Sequence, residues 1–129
     1  MPISALWHGR KTPGGLPGYD VAKAGMIRMT TRLASLEKTD GIRVNCLAPG
    51  WIAVDGPRQY WASLTPSERA QRVPSRLLTT DEIAGAVERL ADDMSLAGRV
   101  LVWWSDGEPR LIQWGDRGYR DAVPLEDWR

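Results

Sequence analysis

The sequence predicts an α/β layer fold with parallel strands and helical crossovers, and three observations carry that prediction. A helical apolar period spans residues 18–38, two short strand-like apolar runs follow at 42–48 and 99–104, and a capping signal at Thr79 opens another helix between them. Alternating helix and strand implies strands that lie parallel, joined by right-handed helical connections.

In residues 18–38, Ala22, Met26, Met29, Leu33 and Leu36 recur at alternating spacings of four and three, the pattern of an amphipathic helix. Thr39-Asp40-Gly41 ends it, since Gly41 can take the left-handed conformation that closes helices. Residues 42–48 follow as a strand, β-branched at the front and stopped by the turn pair Pro49-Gly50. From 51 to 78 the texture changes to short helical pieces broken by Pro57, Pro66 and Pro74, which reads as a mobile lid or an excursion from the sheet. Within it, Thr65-Pro66-Ser67-Glu68 is a capping box with Pro at the first helical position. A second box, Thr79-Thr80-Asp81-Glu82, opens a helix whose Ile83, Ala86, Val87 and Leu90 form one apolar face and which ends near Asp92-Asp93. Gly98 then precedes a strand at 99–104 that is too apolar for a solvated edge and is closed by Ser105-Asp106-Gly107. The tail, 108–129, is polar, punctuated by Trp and irregular.

Composition narrows the function classes. With 129 residues, 43% hydrophobic and 26% charged, the chain reads as one globular domain, 1–129, able to build a core without disulfides. Seventeen basic residues against sixteen acidic ones leave too balanced a surface for phosphate-backbone binding, so no nucleic-acid partner is expected. The single cysteine, Cys46, forms no internal disulfide or thiolate cluster, suits a reducing compartment and reads as a buried, inert thiol. No apolar run approaches the ~20 residues of a membrane helix, and Met1-Pro2-Ile3-Ser4-Ala5 lacks the basic flank of a signal peptide. A cytoplasmic protein without membrane contact is the expectation. His8, flanked by Arg10 and Lys11 with no second histidine, reads as a solvated loop residue, and no metal site is expected.

Tyr19 and Lys23 stand one helical turn apart and therefore share a face. An ammonium beside a phenol favours the phenolate and draws it toward the range of a general acid/base. Taken alone, the same pair more often decorates a helix surface.

The segment Tyr19-Asp20-Val21-Ala22-Lys23-Ala24-Gly25 resembles the Tyr-x-x-x-Lys-Ala-Gly/Ala segment of the short-chain dehydrogenase/reductase family, whose members use NAD or NADP. Downstream, Gly41-Ile42-Arg43-Val44-Asn45-Cys46-Leu47-Ala48-Pro49-Gly50-Trp51-Ile52 is similar to that family's Ile-Arg-Val-Asn-x-x-x-Pro-Gly strand. Pro74-Ser75-Arg76-Leu77-Leu78-Thr79-Thr80-Asp81-Glu82-Ile83-Ala84 resembles the stretch before its last long helix, and Ala97-Gly98-Arg99-Val100-Leu101-Val102 its final strand. The resemblance implies a partial Rossmann-like, doubly wound parallel sheet, second half only, with the lid at about 51–78 between the last two strands. It also implies roles. Tyr19 moves the proton on the substrate oxygen, Lys23 binds the nicotinamide ribose, and Ser4 hydrogen-bonds the substrate oxygen, although a frayed terminal serine describes Ser4 equally well. Pro49 and Gly50 close the nicotinamide end and Ile52 offers backbone groups to the carboxamide, while Val54 stands where the family often has Thr. Trp51, Tyr60 and Trp61 fall in the lid over an apolar or aromatic carbonyl compound, with core packing as the competing explanation.

No segment reads as the Gly-rich phosphate loop of the first half of such a fold: Gly14-Gly15-Leu16-Pro17-Gly18 lacks the spacing, and the residue that selects NAD or NADP is missing with it. The expected function is hydride transfer between a nicotinamide cofactor and a secondary alcohol or ketone. A truncated, non-catalytic module serving association alone is its rival. A strand near residues 2–4 in want of a neighbour and an apolar stripe that one sheet face does not fully cover lead to an expected homo-oligomer.

Overall fold

The structure, a computed structural model, describes residues 16–115. Ser4, His8, the strand expected near residues 2–4 and the tail from 116 onward lie outside the described residues. Helix α1 spans Pro17–Arg32, passes through a 3-10 turn at Leu33–Ser35 and continues as α2, Leu36–Asp40. The single helix expected over 18–38 is thus a helix with one tightened turn. As its position suggested, Gly41 closes it with φ 67°, while Gly41 N–H reaches the Glu37 carbonyl and Ile42 N–H the Leu36 carbonyl, each at 3.2 Å.

Strand β1, Cys46–Pro49, pairs in parallel with β2, Val100–Trp103, in the register Cys46 to Val100 through Pro49 to Trp103. The excursion between them holds α3 (Asp55–Ser63), α4 (Pro66–Arg72) and α5 (Thr80–Asp92). Both capping boxes form: the Thr65 and Thr79 hydroxyls accept the backbone N–H of Glu68 and Glu82, whose carboxylates return the bond. Pro57 does not break a helix as expected. It sits in the first turn of α3, where its missing N–H leaves no ladder bond unmade.

The wholly parallel sheet and the irregular tail from 108 both need correction. A third strand, β3 (Arg110–Leu111), pairs antiparallel with β2 on the side away from β1, so the sheet is mixed, in the order β1-β2-β3. A tight turn makes this possible: Gly107 N–H meets the Trp104 carbonyl at 3.1 Å and the Trp103 indole meets the Gly107 carbonyl at 2.8 Å. The returning chain then covers an edge that would otherwise stand open.

β1 begins at Cys46, not at Ile42, because the residues before it serve α5. The Arg43 guanidinium donates to the carbonyls of Leu90, Ala91, Asp93 and Leu96, and the Asn45 amide donates to Leu96 at 2.9 Å. The Asn45 side-chain oxygen accepts the Arg99 N–H at 3.0 Å, so a side chain takes the place of a ladder carbonyl. A helix C-terminus leaves carbonyls without intrahelical donors, and a fixed cationic fork is well suited to them.

One sheet face buries Ala48, Val100 and Val102 against Ile27 and Cys46; Ala86, Leu90, Leu64 and Leu78 complete the buried apolar set among the described residues. Val87 does not join the face expected of it and is 52% exposed. Along α1 and the 3-10 turn after it, the less exposed row is Lys23, Ile27, Thr30 and Ala34, with Ile27 on the sheet, whereas Ala22, Met26 and Met29 are exposed, one residue out of phase. A shift of one residue rotates a helical row by about 100°.

Gly98 is required twice over. It has φ 68°, and a Cβ there would lie 2.3 Å from the Ala34 Cβ and 2.9 Å from its Cα. Gly98→Ala is expected to cost roughly 2–4 kcal/mol in urea unfolding, from overpacking and backbone strain together. Gly85→Ala, with open space at its Cβ inside α5, is the control and should stabilise by about 0.5–1 kcal/mol.

Acid should weaken the fold through exposed carboxylates. The Arg76 guanidinium and the Thr79 backbone hold Glu82 below the usual carboxylate range, the Thr65 backbone and hydroxyl do so for Glu68, and the Ser95 hydroxyl and backbone for Asp93. Each folded pKa lies under its unfolded value, so the unfolded chain takes up protons first as pH falls. The contribution is fully present above the ordinary carboxylate range and disappears below it, as each folded carboxylate protonates. Thermal melts should therefore stay flat from neutral pH to about 5 and drop below about 4.5, with a shallower drop in Glu82→Gln.

Candidate active site

Helix α1 runs antiparallel to β1. Thr30, whose hydroxyl donates to the Met26 carbonyl at 2.9 Å, lies buried near Cys46 at the start of the strand, and Ile27, one turn earlier, packs on the cluster of Ala48, Val100 and Val102. A further turn of about 6 Å along the helix matches about two residues of strand. Lys23 therefore comes level with Pro49-Gly50, and Tyr19 lies one turn beyond it. Both belong to the end of the sheet where the parallel strands β1 and β2 terminate, the usual ligand side of such sheets.

At the start of α1 the Lys23 ammonium sits over the Tyr19 ring, 5.3 Å from its centroid, and approaches the Met26 sulfur at 4.0 Å. Tyr19 is 43% exposed, so its ring is open to a ligand from solvent. Cys46 is turned to the α1 side, where burial pushes its thiol up, against the lowering effect of the Thr30 side chain. Cys46 is half-buried, not fully buried as its apolar neighbours suggested.

The turn after β1 is tightly held. Gly50 N–H donates to the Trp103 carbonyl at 2.7 Å and Trp51 N–H to the Ser105 hydroxyl at 3.3 Å. Leu78 N–H donates to the Trp51 carbonyl at 2.8 Å and Ala53 N–H to the Leu78 carbonyl at 2.7 Å, closing a parallel bridge between Ile52 and Leu78. In that arrangement the N–H and C=O of Ile52 itself point away from Leu78. The Ile52 carbonyl accepts Val54 N–H at 2.9 Å, and its N–H has no partner among the described residues.

The aromatic residues of 51–78 divide. Trp51 and Tyr60, 38% and 45% exposed, lie 6.0 Å apart between centroids at a tilt of 34° and form an open pair beside the turn. Trp61 is used inside the excursion: its indole donates to the Pro74 carbonyl at 3.1 Å and the Arg69 guanidinium covers its ring at 4.0 Å. Arg69 also donates to the Trp61 and Leu64 carbonyls, fastening α3 to α4. Ser105 is the participant that sequence reasoning passed over. As part of a Ser-Asp-Gly turn it carried no signal, since nothing in its neighbours tells that Trp51 comes to lie against it. A cleft of about 750 Å³ opens on the other face of the sheet, between α5 and β2–β3, and is lined by Ala86, Leu90, Leu101, Trp103 and Leu111.

Residues 3–102 match a family described as enoyl-(acyl carrier protein) reductase. This chain belongs to the short-chain dehydrogenase/reductases. The membership rests on curated relatives as well. A probable galactose dehydrogenase of Rhizobium meliloti is 37% identical over 94 residues, 71% of this chain and 37% of the relative. A 3-oxoacyl-(acyl-carrier-protein) reductase of Escherichia coli is 42% identical over 80 residues, 62% of this chain and 33% of the relative. A dehydrogenase/reductase SDR family member of Caenorhabditis elegans is 31% identical over 116 residues, 84% of this chain and 45% of the relative. The short-chain dehydrogenase/reductase chain thus spans between about a third and under half of the length of these relatives. Within it, Arg43 and Asn45 of the Ile-Arg-Val-Asn segment do structural work on α5, whereas Tyr19 and Lys23 pair with each other on α1 and the Pro49–Ile52 turn is held by Trp103, Ser105 and Leu78.

Proposed function

We propose that this chain supplies the acid/base half of a nicotinamide-dependent oxidoreductase site, with NAD or NADP as cofactor and a secondary alcohol or ketone as substrate. The observation that carries this is the Tyr19–Lys23 pair, in which the Lys23 ammonium lies over the Tyr19 ring on one face of α1. The residues present suit the nicotinamide end of such a cofactor. Gly50 lets the backbone come close to β2, and the Ile52 N–H, without a partner among the described residues, can donate to a carboxamide oxygen. When bound, the nicotinamide supplies hydride to a carbonyl carbon or accepts it from an alcohol. Tyr19 delivers its phenolic proton to the carbonyl oxygen in reduction and takes it back in oxidation. Lys23 holds a positive charge beside that phenol and donates to ribose hydroxyls. Trp51 and Tyr60 form an apolar wall for the substrate, and Trp61 supports that wall from within the excursion. Ser4 is assigned the second hydrogen bond to the substrate oxygen.

Tyr19→Phe removes the proton donor and should lower turnover by about 10² to 10⁴ wherever the cofactor site is complete; near-native turnover would remove Tyr19 from the mechanism. The 129-residue chain alone should bind NADH and NADPH weakly. No stretch of the sequence reads as a glycine loop for the pyrophosphate, and the loss of two or three charge-assisted bonds worth about 1.5–3 kcal/mol each raises the dissociation constant about 10³-fold or more. Calorimetric titration with both cofactors and a panel of ketones tests this. Micromolar binding with Tyr19-dependent turnover would show that this half suffices.

The rival, an association module without catalysis, is favoured by two observations: among the described residues, the outward row Ala22, Met26 and Met29 stays uncovered, as does the side of β1 away from β2. The two readings share an expectation of self-association, as a cytoplasmic homo-oligomer. Sedimentation at tens of micromolar, a concentration range where exposed apolar surface drives association, should show a dimer or larger species, and Met26→Lys with Met29→Lys should shift it toward monomer. A monodisperse native monomer would refute this.

A further inference from the structure

Two polar residues among those described are buried in the fold, Thr30 and Ser105, and the second stands at the candidate site. Ser105, 4% exposed, follows β2 and meets the turn after β1 at two consecutive residues. Its hydroxyl accepts Trp51 N–H at 3.3 Å, and a Cβ placed on Gly50 would come within 2.8 Å of its Oγ and 3.2 Å of its backbone nitrogen. Gly50 N–H is committed to the Trp103 carbonyl two residues earlier. The neighbouring Asp106 carboxylate accepts the hydroxyl of Ser75, on the chain returning from the excursion. The turn after β2 therefore grips both stems of the segment between β1 and α5, the outgoing one through Ser105 and the returning one through Asp106.

We propose that Ser105 is a positioning residue of this site, whose hydroxyl fixes the peptide plane between Gly50 and Trp51 and thereby the direction of the Gly50 carbonyl, which shares that plane with the Trp51 N–H. The proposal rests on the reading of that turn as the nicotinamide end. Bonds on either side constrain Trp51: its N–H is held by Ser105 and its carbonyl by Leu78 N–H. Removing the hydroxyl frees the first and leaves the second, so the peptide plane between Gly50 and Trp51 gains freedom while the stem stays closed. An alanine fills the same space without an acceptor, so the change is confined to one hydrogen bond.

Ser105→Ala in the 129-residue chain, followed by NMR amide exchange, tests this. Exchange at Trp51 should accelerate several-fold to about tenfold, the scale of one hydrogen bond, with Val100 and Val102 unchanged. Titration of NADH, read at the Trp51 and Ile52 amides of both proteins, should show a similar fold-loss of affinity in the variant. Unaltered exchange at Trp51 overturns the proposal. So does acceleration shared by Val100 and Val102, or collapse of the fold, either of which makes Ser105 a structural residue. Equal NADH affinity alongside a loosened Trp51 amide overturns its link to the site. A native chain that does not bind NADH defeats the cofactor reading instead, and the exchange comparison then decides the role of Ser105 by itself.

Discussion

The end of α5 is where the fold is tied together, because Arg43 gathers four carbonyls there that no helical N–H can reach. A guanidinium presents its donors in a rigid plane, so binding several carbonyls at once fixes α5 relative to the chain entering β1 in position and in angle. Asn45 repeats the tie from the next outward position and also accepts the Arg99 N–H, which brings β2 into register beside β1. The close pass of Gly98 over Ala34 follows from the same constraint, since Gly98 N–H is bonded to the Val44 carbonyl at 2.8 Å and has nowhere else to go. A side chain longer than hydrogen at that point would push the 3-10 turn at Leu33–Ser35 away from the chain entering β2.

Given that anchor, the site is a consequence of strand direction. Two parallel strands with a common register end together, and their following turns meet. Gly50 and Ser105 face one another for that reason, although 54 positions of chain separate Trp51 from Ser105. The antiparallel return of β3 begins beside the same point, after Gly107, so one short turn supports the site, shields the sheet edge and starts the last strand. The excursion from 51 to 78 is closed at its base by paired backbone bonds, and its own interior is organised by Arg69 and Trp61. It behaves in packing terms as a small unit attached at a neck.

The orientation of α1 separates its two duties. The row of Lys23, Ile27, Thr30 and Ala34 is small or polar at three of its four positions and lets the helix approach the sheet closely, as the Ala34–Gly98 contact shows. The row of methionines faces away. A helix whose most apolar side is the outer one leaves hydrophobic area in water, and only another surface can remove it. Tyr19, at the open end of the same helix, keeps its access to solvent.

Local signals were sufficient wherever one stretch of chain settles its own backbone bonds. The capping boxes at Thr65 and Thr79, the left-handed Gly41 and the strand at Val100 depend on neighbours a few residues away, and the sequence alone determines them. The pairing of Tyr19 with Lys23 is of the same kind, because a helix brings positions four apart together whatever surrounds it. Tertiary structure decided the rest. Which row of α1 meets the sheet is set by how closely backbones approach, a property that hydrophobic periodicity does not encode. The late start of β1 reflects Arg43 and Asn45 serving a helix terminus some 50 residues away. The antiparallel β3 needed an edge to pair with, and Ser105 needed Trp51 beside it; a single residue pair distant in sequence leaves no local pattern, so only the assembled fold reveals either.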